Sequence, residues 1–312
     1  MAIHFGVNLP QIKRSWSDTK QTALELEHLG FDSVWLNDHL YGVPGPHLPI
    51  LEAWTTLAAV GAVTERVQLG TLVTPVGFRN PALLAKIAAT LDNIAAGRVI
   101  VGLGSGWFQQ EFAGYGFEFP SLRARLEQLD EAATLMKQMW TEDTPSFRGR
   151  HFHIDSVYCA PRPVRPPPLL IGGGGEKVLL RLAAKHADIW NNLAVHQSDL
   201  GHKVEVLRRH CEEIGRDPSE LTVSQQCLVV VGTDEADAAK KVERANQIYG
   251  GHLGAGGPLS IAGTPAQCLE KIREHVRLGC TMFVIEFFGR DTREPAKLFA
   301  ETVMGEARKL AA

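Results

Sequence analysis

The chain lacks the features that would tie it to a membrane, to nucleic acid or to an oxidising compartment. No apolar run reaches the roughly 20 residues needed to cross a bilayer. The stretch Met1-Ala2-Ile3-His4-Phe5-Gly6 has no basic segment followed by an apolar one, so a cytoplasmic location is expected. Lys and Arg are interspersed with Asp and Glu to a formal charge of −3, without the basic stripe that neutralises phosphodiester backbones, which argues against nucleic acid as a partner. The five cysteines, Cys159, Cys211, Cys227, Cys268 and Cys280, are odd in number and form no C-x-x-C pair, which points to reduced thiols and away from a zinc site. His151 and His153 flank Phe152 with no carboxylate or cysteine set at matching spacing, so no metal is expected. No G-x-G-x-x-G with a downstream acid opens the chain, which disfavours a nicotinamide-binding Rossmann domain.

With 312 residues and 45% hydrophobic content, the chain can bury a large core. Its pattern alternates. Ile3 to Leu9, Phe31 to Leu36, Val67 to Val73, Arg98 to Leu103, Pro168 to Ile171, Asp188 to Asn192, Leu221 to Val231 and Thr281 to Phe287 read as strands. Each is followed by a helix, or by an insertion and then a helix. Asp18 with Gln21 suggests a capping box for the first helix, and Asn80-Pro81 an N-cap with a first-turn proline for the third. Eight such units predict an α/β fold, a (β/α)8 TIM barrel with insertions, as one domain over residues 1–312. Insertions are expected near 140–167, with a hairpin around Phe147 to Arg150, and near 246–263. A doubly wound open sheet is the alternative.

In a barrel the chemistry belongs at the C-terminal ends of the strands. Those ends carry Asn8, then Asp38-His39, Thr71-Leu72-Val73, Ser105-Gly106-Trp107, the run Gly172-Gly173-Gly174-Gly175-Glu176, Asn191-Asn192, Gln225-Gln226 and Glu286. Strand, glycines and helix N-terminus in succession aim unpaired N–H groups at an anion, with a phosphate as the natural guest; the bland reading is a tight turn. Histidine as a residue type has an unperturbed pKa near neutrality, which makes His39 the acid/base candidate. Asp38 either tunes it, holds a ligand or caps a turn. Trp107 either walls a flat ring or packs in the core, and Phe78, Phe108 and Phe288 raise the same choice.

Leu29-Gly30-Phe31-Asp32-Ser33-Val34-Trp35 running to Asp38-His39, Leu69-Gly70-Thr71, Arg79-Asn80-Pro81, Gly102-Leu103-Gly104-Ser105-Gly106-Trp107 and Ile171 to Glu176 together resemble the bacterial luciferase-like oxidoreductase superfamily over nearly the whole chain. Within it, the quadruple glycine with Glu176-Lys177 and the Asp188-to-Asn192 segment look most like the branch that depends on the deazaflavin coenzyme F420. The resemblance implies a (β/α)8 barrel with the ring at the mouth and its phosphate-bearing tail at Gly172 to Glu176. It implies that Asp38 hydrogen-bonds the ring, that His39 handles the proton, and that Thr71-Leu72-Val73 forms a bulge with a non-prolyl cis peptide behind the ring. Ser105, Gly106 and Trp107 join the cofactor set. Relatives that oxidise glucose 6-phosphate carry a carboxylate where this chain has Trp107, which disfavours that substrate. The expected activity is hydride transfer between F420 and a small organic molecule, in a homodimer. Rival readings are an FMN monooxygenase of the same fold, a non-redox barrel enzyme using the glycines for a substrate phosphate, and a ring-binding protein without turnover. No lysine stands at a strand end as a Schiff-base candidate, which counts against the non-redox enzyme.

Overall fold

The computed structural model describes residues 2–250, 256–289 and 291–311. Eight parallel strands close into a barrel: His4–Asn8, Ser33–Leu36, Gln68–Thr71, Val99–Gly104, Leu169–Gly172, Ile189–Asn192, Thr222–Val231 and Cys280–Phe287. Each pairs with its successor, and the eighth closes on the first through Val7 opposite Ile285. The open sheet is thereby excluded.

Alternation along the strands sorts the core into two shells. Outward residues such as Phe5, Val7, Val101, Ile171, Trp190 and Phe283 pack under the helices. Inward residues Trp35, Ile100, Leu170, Ile189, Met282 and Val284 fill the barrel as a separate apolar plug. Above the plug, inward positions toward the C-terminal ends of the strands include the polar residues Asn8, Asn191, Gln226 and Glu286, while Leu228 and Val230 further along the seventh strand form a small apolar cluster with Ala245.

The helices start where local chemistry dictates. Asn80 Oδ1 accepts from the amides of Ala82 and Leu83 at 2.9 and 3.4 Å, with Pro81 at the first helical position of Pro81–Ile94, a cap worth ~1 kcal/mol. The first helix, Trp16–His28, begins earlier than expected. Its capping box is Ser15 with Asp18, because Asp18 sits at the third helical position and reaches back to the Ser15 amide at 3.1 Å, so Gln21 lies inside the helix.

The insertion near 140–167 holds an antiparallel hairpin, Phe147–Arg148 with His153–Ile154. Glu131 of the long helix Leu122–Thr141 accepts from the amides of Arg150, His151 and Phe152, and His151 Nε2 lies 3.2 Å from Glu127. The expected insertion at 246–263 is shorter. Helix Glu235–Tyr249 covers its start, Ile261–Gly263 is a strand beside Val229–Val231, and residues 251–255 lie outside the described residues. All five cysteines are buried and unpaired. Among the described residues no helix is long and apolar enough to cross a membrane.

Candidate active site at the barrel mouth

The second strand delivers Asp38 and His39 to opposite surroundings. The Asp38 carboxylate is 1% exposed. Its Oδ2 accepts from Arg79 Nη1 at 2.6 Å, Thr74 Oγ1 at 2.8 Å and Trp54 Nε1 at 3.1 Å, and its Oδ1 accepts from Arg79 Nη2 at 3.2 Å. Arg79 also pairs with Glu52. Burial pushes the Asp38 carboxyl above its ordinary range, with the Arg79 guanidinium acting against that. Four hydrogen bonds from Arg79, Thr74 and Trp54 thus hold a carboxylate that is closed to solvent. It ties the second-strand exit to the third.

His39 faces the other way. Its Nδ1 lies 2.8 Å from Glu111 Oε2, and the same carboxylate accepts from the amides of Leu40 and Tyr41 through Oε1. An ionised carboxylate only accepts, so Nδ1 carries the proton toward Glu111 and Nε2 is the atom left for exchange. The His39 side chain is 19% exposed and that of Glu111 1%. Trp107 is 62% exposed, stacks on Phe108 at 5.2 Å and meets the His39 ring edge-on at 6.1 Å. Trp107 therefore stands as an aromatic rim, whereas Phe78 is buried against Phe112 and Phe117, and Phe288 packs with Tyr249.

The Leu72–Val73 peptide is cis, in the bulge between Thr71 and the short strand Thr74–Pro75. Thr71 is fully buried, its hydroxyl donating to the Gly102 carbonyl at 3.0 Å. Val73 presses inward against the neighbouring strands. A Cβ on Gly104 or Gly172 would lie 2.5 or 2.9 Å from a Val73 methyl, so these two positions must be glycine to admit the bulge. Ser105 and Gly106 follow, half-buried, at the fourth exit.

The rest of the glycine run divides by cause. Gly173 has φ 137°, which L residues rarely adopt, and a Cβ on Gly174 would lie 2.6 Å from the His196 ring. Gly175 has neither constraint: its Cβ would make an ordinary 3.6 Å contact with Leu179. Helix Leu179–His186 then starts with no side-chain cap, and the Leu180 amide donates to the Gly175 carbonyl at 3.0 Å. Glu176 turns outward to Lys203 Nζ at 2.7 Å and His202 Nε2 at 3.3 Å, and Lys203 also donates to the Gly174 carbonyl at 2.9 Å. These hydrogen bonds hold the Glu176 carboxyl below its usual range.

Alternation splits the two amide pairs. Asn191 and Gln226 lie on the inward face, while Asn192 and Gln225 point outward and bond to one another at 2.8 Å. Glu111, Arg79, Trp54 and Lys203 were not among the residues expected from sequence. One signal was available: Glu111 is the sole charged residue between Trp107 and Gly116, and a lone acid in such a stretch needs a buried partner.

The sequence pattern of one family, described as luciferase-like monooxygenase, matches residues 2–282. The chain belongs to that family. Among luciferase-like relatives, the F420-dependent glucose-6-phosphate dehydrogenase of Gordonia bronchialis is 37% identical over 93% of each chain. The enzyme of the same name from Amycolatopsis mediterranei is 37% identical over 55% of this chain and 51% of its own length. A solved structure of an F420-dependent secondary alcohol dehydrogenase with an F420-acetone adduct superposes with a TM-score of 0.82 at 24% identity, covering 97% of this chain and 98% of that one. The luciferase-like barrel is thus shared across nearly the whole chain.

Proposed function

We propose that this chain is an F420-dependent oxidoreductase that moves a hydride between the deazaflavin and a small organic substrate, with His39 exchanging the balancing proton. The observation that carries the proposal is the His39–Glu111 pair, which leaves Nε2 for proton exchange, with the exposed Trp107 edge-on to the ring. Naming of similar enzymes for F420 supports the deazaflavin over FMN.

The residues fit such a group. Gly175 has no packing reason to be glycine, which leaves its bare backbone open to the approach of a phosphate-bearing tail at the start of helix Leu179–His186. Gly172, Gly173, Gly174 and Gly175 would hold the tail; Glu176 would hold the loop in place through Lys203. Leu72, Val73, Ser105, Gly106 and Trp107 would bound the ring, and Thr71 would anchor the bulge. When bound, the deazaflavin supplies a two-electron hydride acceptor or donor. The chain's own part is orientation and proton handling. Glu111 fixes the His39 ring so that Nε2 receives a proton from a substrate hydroxyl, or returns one to a carbonyl oxygen in the reverse direction.

The buried, unpaired cysteines fit a reducing compartment, and we place the protein in the cytoplasm. Leu83, Ile94, Tyr158 and Val164 are exposed, which fits a homodimer. The test of cofactor choice is a spectroscopic titration with F420 and, separately, FMN. We expect tight F420 binding and weak FMN binding, and a loss of kcat of ~10²–10⁴-fold in His39→Ala with F420 affinity retained. Preference for FMN would move the assignment to a flavin monooxygenase.

A further inference from the structure

Asn191 is the first inward residue above the apolar plug on the sixth strand, since Ile189 belongs to the plug and Trp190 packs outward under the helices. Parallel pairing sets it between Gly172 of the fifth strand and Ser224 of the seventh. Its side chain is fully buried. Ser224 Oγ donates to Asn191 Oδ1 at 3.0 Å, which turns the oxygen end of the amide toward the seventh strand. The other end, Nδ2, has no hydrogen-bond partner among the described residues. An amide N–H left unmade inside a protein is costly, and such groups are rare unless something outside the chain completes them. On the fifth-strand side the floor of the mouth is bare: Gly172 has no side chain, and the space a Cβ would take there is bounded by a methyl of Val73 in the cis bulge. The backbone ties the same residue to the glycine run. The Gly173 amide donates to the Asn191 carbonyl at 3.2 Å, and Trp190 Nε1 donates to the Gly173 carbonyl at 2.9 Å.

We propose that Asn191 is a cofactor-binding residue whose Nδ2 donates to a carbonyl oxygen of the deazaflavin ring, and that it thereby favours the reduced form of the bound cofactor. The inference rests on the oxidoreductase reading above and adds a control of the cofactor's redox balance. Nδ2 only donates, so its partner is an acceptor. Depth favours a ring oxygen over a substrate oxygen. Asn191 lies on the floor, one strand from the Gly172 position where Val73 would bound the ring, whereas His39 stands higher, at the rim with the exposed Trp107. Reduction adds electron density to the ring, and its carbonyl oxygens carry part of it, so a fixed donor holds the reduced form more tightly. Ser224 keeps the amide in place by its oxygen, so the donor is oriented before the ring arrives and little is lost in ordering it.

The test is a spectroscopic titration of the full chain with oxidised F420, with F420 reduced beforehand, and with the deazaflavin riboside that lacks the phosphate-bearing tail. Asn191→Leu combined with Ser224→Ala removes both partners of the buried pair at once and leaves no donor at any pH. We expect the double variant to bind oxidised F420 about tenfold and reduced F420 about a hundredfold more weakly than wild type. The tenfold change in their ratio corresponds to a two-electron potential of the bound cofactor about 30 mV lower. The tail-less riboside should lose as much as F420 does, which a disturbance confined to the glycine run would not produce. Without cofactor the melting temperature should stay level or rise, because no buried polar group of the pair is left unmade, while added F420 should raise it less than in wild type. Asn191→Ala, with the same expected direction, serves if the double variant does not fold. The proposal is overturned if the variants bind both forms of F420 as wild type does, if the loss is the same for the two redox states, if it vanishes with the tail-less riboside, or if only a substrate KM moves. Failure of the wild type to bind F420 at all sinks the functional reading, whereas normal F420 binding with a flat response to these substitutions sinks the part given to Asn191 alone.

Discussion

Glu111 separates two roles that adjacent residues on one strand end might otherwise share. Asp38 is locked among Arg79, Thr74 and Trp54, and the pairing that keeps His39 oriented comes from a carboxylate 72 positions away. Its two oxygens do different work: Oε2 holds the His39 ring, and Oε1 takes the amides of Leu40 and Tyr41. Glu111→Gln keeps the shape and one acceptor but can present an amide N–H to Nδ1, which disfavours the tautomer that leaves Nε2 free. We expect kcat to fall on the order of 10²-fold, in the range of general acid–base effects, while KM and F420 affinity stay near wild type. A stability loss on the order of 1 kcal/mol should accompany it, because a neutral amide oxygen accepts from the Leu40 and Tyr41 amides less strongly than a carboxylate does. If kcat is retained, Glu111 is a structural tie for the Leu40–Tyr41 backbone and nothing more.

At the scale of elements, the barrel was legible because each strand announces itself by a short apolar run and each helix by its cap. The residues that position the site were less so. Arg79 reaches Asp38 across 41 positions and Glu111 reaches His39 across 72, and no local pattern encodes such closures. The glycine run shows the same limit. Sequence marks four glycines as costly, but only the packed structure shows that Gly172 yields to Val73, Gly173 to its backbone angle and Gly174 to His196. Gly175 remains as the position whose bareness the fold does not require. Gly175→Ala should therefore leave stability unchanged or raise it by ~0.4–1 kcal/mol, since it restricts the unfolded chain without strain. It should nonetheless weaken F420 binding, read by the same spectroscopic titration, because a methyl group would stand where the phosphate-bearing tail approaches. Unchanged affinity would mean that the tail passes elsewhere.

For the molecule as a whole, histidines at three separate places contribute a loss of stability in mild acid. His4 lies at the N-terminal end of the barrel against Ser33, His186 on helix Leu179–His186 beside Asp130, and His275 under the eighth strand against Phe283. In each the pKa is lowered from 6.5, with burial the largest cause. His275 shows the physical reason most directly. Its Nδ1 donates to the Lys271 carbonyl at 2.7 Å and its Nε2 accepts from Gln197 Nε2 at 3.0 Å, so a second ring proton would face an amide donor. The folded state thus favours the neutral rings, and the unfolded chain binds protons more readily. Stability from this source is full above pH ~6.5, the unfolded value, and is lost as pH falls through the lower folded values. Each group can contribute up to ~1.4 kcal/mol per pH unit over its window. The carboxylates held low, among them Asp130 and Glu127, titrate at more acid pH and do not confound it. Urea unfolding at pH 7.5, 6.5 and 5.5 should show a falling midpoint, and His275→Gln, which keeps a neutral polar side chain at that site, should make the fall shallower. A midpoint constant over this range would show that the three rings protonate in place without cost to the fold.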